Sequence, residues 1–204
     1  MQAISNKIIK TKGELCMCKI KIDLDSYKDF FSSEYGLKLI HEIVDNGDYE
    51  AIKGLVKWKH CTSKVLDRIA LKFMVHDNIK ENMEMLEDVA EHPRVSKKTL
   101  SRLFEFASSM LSEHRYLAEE VLEEIAESKK LSEDMAWKLY SLAVSNALFD
   151  VIDELAENDK TPDEVIFAIL ERYKEDSKQY RKACKQVVKR YKKLREQLKK
   201  EENK

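Results

Sequence analysis

The sequence predicts a mostly α fold, an α-solenoid of about five two-helix repeats behind a short N-terminal β-hairpin or strand, and three observations carry this. One pattern recurs in register: Met85-Leu-Glu-Asp-Val-Ala-Glu-His92, Val121-Leu-Glu-Glu-Ile-Ala-Glu-Ser128 and Val151-Ile-Asp-Glu-Leu-Ala-Glu-Asn158. With looser copies at 51–58 and 187–194, the second apolar residues Ile52, Leu86, Leu122, Ile152 and Val188 stand 34, 36, 30 and 36 residues apart. A period in the thirties with two helices per unit is the mark of a helical solenoid. The second observation is composition: 37% charged residues with only 4 Gly and 2 Pro leave room for few and short loops. The third is the placing of the apolar residues, which follows the helical period from Ser26 onward.

Residues 1–25 form the exception. Cys16, Cys18, Ile20, Ile22 and Leu24 alternate with polar neighbours, the period of a half-buried strand, after a turn at Thr11-Lys-Gly-Glu14. A small hairpin here would cap the first repeat. Residues 26–204 are expected to be the helical repeat domain.

Within that domain each unit opens with a helix starting near Thr62, Ser96, Ser132 or Pro162, followed by apolar residues at i, i+1, i+4 and i+5. Thr161-Pro-Asp-Glu164 reads as a capping box with Pro at the first helical position. The repeated pattern lies on the second helix of each unit, expected at about 49–59, 80–91, 115–128, 146–157 and 178–199. Ala90, Ala126 and Ala156 share one position, which implies a close helix crossing.

The run Leu155-Ala-Glu-Asn-Asp-Lys-Thr-Pro-Asp-Glu-Val165 resembles the junction of the leucine-rich repeat variant, a HEAT-like helical repeat family, and Val89-Ala-Glu-His-Pro93 is similar in part. The resemblance implies an α-solenoid that scaffolds or binds partners, and it brings no catalytic residues with it.

Charge is divided along the chain. From Lys178 to Lys204, 12 Lys and Arg against 3 Glu give +9, whereas 23–177 hold 20 basic and 34 acidic residues, giving −14. The acids concentrate on the outward side of the pattern: Glu87, Asp88 and Glu91; Glu123, Glu124 and Glu127; Asp153, Glu154 and Glu157. Stacked repeats would set them in a ladder, an acidic ridge that attracts a basic protein segment and repels nucleic acid. A solvated face with no role is the competing reading.

The last helix reverses the sign with Arg181, Lys182, Lys185, Lys189, Arg190, Lys192, Lys193 and Arg195 around an apolar stripe of Tyr180, Cys184, Val187, Val188, Tyr191, Leu194 and Leu198. The stripe is expected to pack on the preceding helix. The basic face has three readings: a solvated cap, a site for RNA or DNA phosphates together with the Lys-rich N-terminal arm, or a strip for the acidic ladder of another copy.

Catalysis finds no support, since no glycine-rich phosphate loop, nucleophile elbow or His-Glu-x-x-His occurs, and Trp58 and Trp137 sit at core-like helical positions. Cys16, Cys18, His60 and Cys61 could supply four zinc ligands, but Cys-x-Cys is an uncommon spacing and alternation makes the thiols core residues. No cofactor and no metal are expected. With no signal-type run and no bilayer-length apolar stretch, the sequence predicts a cytoplasmic protein with no membrane contact and reduced cysteines.

Overall fold

The computed structural model describes residues 28–31 and 33–202. The β element expected over 1–25 lies outside the described residues, as do Cys16 and Cys18. Among the described residues there is no strand. A short α1 (Lys28–Phe31) precedes α2 (Glu34–Asn46), α3 (Tyr49–Val56), α4 (Ser63–Phe73), α5 (Ile79–Glu91) and α6 (Lys97–Met110). Then come α7 (Arg115–Glu127), α8 (Glu133–Asn146), α9 (Phe149–Glu157), α10 (Asp163–Arg172) and α11 (Lys178–Glu202). No helix among the described residues is long and apolar enough to cross a membrane.

Helices neighbouring in sequence pair as α2 with α3, α4 with α5, α6 with α7, α8 with α9 and α10 with α11. The pattern helices also pack one on the next, α3 on α5, α5 on α7, α7 on α9 and α9 on α11, while α2, α4 and α6 stack likewise and α8 meets α10. This packing between neighbouring helices is compatible with a helical repeat fold. The side chains responsible are those the pattern repeats: Leu86, Leu122 and Ile152 are fully buried, each worth about 1.5–3 kcal/mol relative to exposure.

The junctions share one local hydrogen-bond pattern. Trp58, His92, Ser128 and Asn158 end four successive pattern helices, and their carbonyls accept from the N–H groups of Cys61, Val95, Leu131 and Thr161 at 2.8 to 3.1 Å. The side chains of His92, Ser128 and Asn158 each accept from the backbone N–H two residues on, in Arg94, Lys130 and Lys160. Two of them also reach across the repeat: His92 Nε2 donates to the Trp58 carbonyl at 3.2 Å and Asn158 Nδ2 to that of Ser128 at 3.1 Å. A carbonyl only accepts and an amide N–H only donates, so His92 is the neutral Nε2–H tautomer. Burial, which lowers its pKa, keeps it so.

Three of the four helices that follow are capped as expected, with Thr62, Ser96 and Ser132 accepting from the N–H of Val65, Thr99 and Met135. The fourth corrects the sequence reading. Pro162 itself is the N-cap, and the Thr161 hydroxyl is buried with no hydrogen-bond partner among the described residues. Thr161 stands one residue too far out to reach the first turn, so no capping box forms.

The shorter step of 30 residues also has a local cause. The α8–α9 connection is only Ala147 and Leu148, with Ala147 in the left-handed region at φ 53°, and α9 has 9 residues where α5 and α7 have 13.

Two further expectations fail. Trp137 is 37% exposed on α8, not core, although Trp58 is buried. In α11 the buried residues are Gln179, Ala183 and Gln186, whereas Val188, Tyr191 and Leu194 are 52%, 66% and 54% exposed. The fifth copy is therefore not in register with the others: Val188 does not do what Ile152 does. Of the stripe residues from Tyr180 to Leu194, Tyr180, Cys184 and Val187 are half-buried and the rest exposed.

Ala90, Ala126 and Ala156 are all buried on the contacting helices α5, α7 and α9. Replacing Ala126 by Leu adds volume where the helices touch and should destabilise the fold by about 1–3 kcal/mol. Thermal denaturation checks this, with an unchanged melting temperature removing the crossing from this position.

Candidate functional site

The acids of the repeated pattern are brought together by the packing of α5, α7 and α9. With the apolar residues of each copy turned inward, the polar pair between them emerges beside the pairs of the adjacent helices. Glu119, Glu123 and Asp150, from α7 and α9, each offer a carboxylate oxygen within 4.8 Å of the others. Glu124 feels Glu127, Glu91, Glu87 and Glu154, from its own helix and both neighbours. Carboxylates of α7 thus face a carboxylate of α9, with Glu87 and Glu91 of α5 near enough to act on Glu124.

Crowding and partial burial oppose ionisation. Burial first, then Asp150, Glu119, Glu154 and Glu120, push the Glu123 carboxyl from the ordinary 4.5 to about 7. Burial first, then the four acids named above, do the same to Glu124, again to about 7. Glu87 is raised by burial, then by Glu120, Asp88 and Glu84, and Glu119 by burial and Asp150 against the pull of Arg115. Tyr116, exposed at the start of α7, stands beside Glu120 and within the field of Glu123 and Glu87.

At its two ends the ridge is neutralised by lysines. From α3, Lys53 Nζ lies 3.4 Å from Asp88 and Lys57 Nζ 4.0 Å from it. From α11, Lys182 Nζ lies 3.7, 3.6 and 3.2 Å from Asp153, Glu154 and Glu157, and Lys178 pairs with both Asp153 and Asp150. Asp153, expected on the outward side, is 1% exposed because α11 covers it. A buried carboxylate needs such counter-charges to stay ionised. No comparable cation meets the α7 acids: among the described residues, no ion pair is found for Glu119, Glu120, Glu123, Glu124 or Glu127.

The basic set of α11 divides in two. Lys182, Lys189, Arg190 and Lys193 face the body: Lys189 and Lys193 hold Asp159 at 2.7 and 3.0 Å, and Arg190 pairs with Asp163 and donates to the Thr161 carbonyl at 2.6 Å. The Lys189 and Lys193 hydrogen bonds hold the Asp159 carboxyl well below the usual range. Gln186 Nε2 donates to the Glu157 carbonyl and to Asp159 Oδ1 at 2.9 and 3.0 Å. Arg181, Lys185, Lys192 and Arg195 are exposed, with no ion pair among the described residues.

Of the four zinc-type residues, only His60 and Cys61 are described. Cys61 is a core residue whose thiol burial pushes up to about 12, and its sulfur approaches the Thr62 carbonyl at 3.9 Å.

Sequence reading missed the lysines that end the ridge. Lys53 and Lys57 carried a signal, since they occupy the pattern positions held by Glu87 and Glu91 in the next copy. Lys178 carried none, because its reach to α9 depends on how two helices cross. Comparison of the chain with family models, with curated proteins and with solved structures finds no match.

The raised carboxyls make stability depend on pH. A carboxyl with a higher pKa in the folded chain binds more protons folded than unfolded, so its contribution is full below about 4.5 and is lost as pH rises to about 7. Glu124→Gln removes that loss. Melting curves across this window should fall more steeply with pH for the wild type than for the variant, and parallel curves would remove the crowding at Glu124.

Proposed function

We propose that the chain is a non-enzymatic interaction module, an α-solenoid of HEAT-like or leucine-rich-repeat-variant kind that presents its acidic ridge to a basic protein segment. The observation that supports this best is the contrast along the ridge. Asp88 at one end and Asp153, Glu154 and Glu157 at the other are each met by lysines, while Glu123 and Glu124 in the middle are met only by other acids. A surface that is merely solvated gains nothing from holding carboxyls this close. A basic segment laid across α7 relieves the repulsion, and the electrostatic free energy so released becomes binding free energy.

RNA or DNA bound through the basic C-terminal helix is the second reading, supported by the four outward cations Arg181, Lys185, Lys192 and Arg195. It is weakened by the use of Lys182, Lys189, Arg190 and Lys193 within the molecule. Steep loss of affinity with salt for generic RNA, abolished by truncation before Lys178, would favour it.

Binding to the ridge should carry a proton signature. A nearby cation favours the charged carboxylate, so Glu123 and Glu124 lose protons as a basic segment binds, and affinity rises between about pH 6 and 8. Calorimetry of the full chain with a Lys- and Arg-rich peptide, in buffers of different ionisation enthalpy, measures both affinity and proton release. The Glu123→Gln, Glu124→Gln double variant should bind at least about tenfold more weakly, ~1.4 kcal/mol, and release no protons. Equal binding by the variant would overturn the reading.

A further inference from the structure

We propose that the basic segment received by the ridge is the outward stripe of α11 from a second copy of this chain. The inference rests on the reading of the ridge as a receptor for basic segments and names its occupant.

The first support is the length of α11. Its 25 residues extend about 37 Å at 1.5 Å per residue. The helices it packs on, α9 and α10, have 9 and 10 residues, about 15 Å each. Lys193 on Asp159 is the last ion pair between α11 and the body among the described residues, so the helix runs on past it over 194–202, and residues 191–197 are all exposed. The outward stripe from Arg181 to Arg195 is about 21 Å long. The ridge from α5 to α9 spans two helix spacings of 8–10 Å, about 16–20 Å, so the stripe matches it in length.

The second support is the chemistry of the stripe. Arg181, Lys185, Val188, Lys192 and Arg195 succeed one another at steps of 4, 3, 4 and 3 residues, which sets them on one side of the helix. That side faces away from Gln179, Ala183 and Gln186, the residues α11 buries. No acid occurs between Lys178 and Arg195, and the four cations have no ion pair among the described residues. Exposed Val188 and Tyr191 add apolar surface beside them, and exposed Tyr116 offers the same among the ridge acids. Two α11 helices would meet as like charges, which disfavours a simple coiled coil between them.

The third support is that the other face of this helix already does within the molecule what the stripe is proposed to do between molecules. Lys178 and Lys182 dock on Asp150, Asp153, Glu154 and Glu157. Glu123 and Glu124 of α7, one helix further along, are acids of the same kind with no ion pair among the described residues. A tail of +9 against a middle of −14 makes the two surfaces complementary, and a net charge of −1 leaves little overall repulsion between copies.

Sedimentation velocity of the full chain tests this. Association should appear at about 20 mM salt and be lost at about 500 mM, where the screening length is only a few ångströms. A stripe variant, Lys192→Glu with Arg195→Glu, and a ridge variant, Glu123→Lys with Glu124→Lys, should each lower the association constant at least tenfold. Mixing the two should restore association, because one retains the ridge and the other the stripe. Circular dichroism confirms folding, and Glu123→Gln with Glu124→Gln replaces the ridge variant if the charge reversal unfolds it. A wild-type chain that stays monomeric at low salt overturns the inference, as does a folded mixture that fails to associate. If the monomer still binds the Lys- and Arg-rich peptide through Glu123 and Glu124, the ridge reading survives without self-docking; if it binds neither, both fall. Loss of RNA binding by the stripe variant in a chain that never self-associates assigns the stripe to nucleic acid instead.

Discussion

Close contact between α5, α7 and α9 governs both the architecture and the surface of this protein. Ala90, Ala126 and Ala156 are buried on these contacting helices. Because side chains on one helix are fixed in angle relative to each other, packing that turns the alanines inward also fixes where the acids of each copy emerge. Those residues are Glu87, Glu123 and Glu124 with their neighbours. The same packing that buries Leu86, Leu122 and Ile152 therefore brings carboxyls of α7 and α9 close together.

Charge along the resulting face is not uniform. At the α3 side Lys53 and Lys57 compensate Asp88, and at the α11 side Lys178 and Lys182 compensate the acids of α9. Compensation lets Asp153 be buried outright, whereas Glu123 and Glu124 stay half-exposed with raised pKa values. Desolvated carboxyls with no cation nearby have two remedies, protonation or a ligand. The first is what the free chain uses near neutral pH.

The terminal helix is held differently from the rest. Where α5, α7 and α9 bury leucine, isoleucine and valine, α11 buries Gln179, Ala183 and Gln186 and relies on Lys182, Lys189, Arg190 and Lys193 against acids of α9 and the following junction. Ion pairs with this much exposure contribute little individually and weaken with salt. The seat of α11 is thus its most salt-sensitive contact, and the helix continues well past it.

Much of this was legible in the residues alone. Helices α5, α7 and α9 end within one residue of where periodicity placed them and α3 and α11 within three, and three hydroxyl N-caps were marked by Thr62, Ser96 and Ser132, because both features depend on near neighbours in the chain. That Glu87, Glu123 and Asp153 share a face also followed from register. Tertiary structure decided what register cannot reach: that Val188 faces outward despite matching Ile152 in pattern, that Trp137 is exposed, and that Asp153 is covered while Glu123 is not. It also decided which of eight basic residues on α11 are already paired. A repeat fixes which way a side chain points from its own helix, but its charge environment depends on which helix lies opposite, and for α11 that is set by the crossing with α9 and α10.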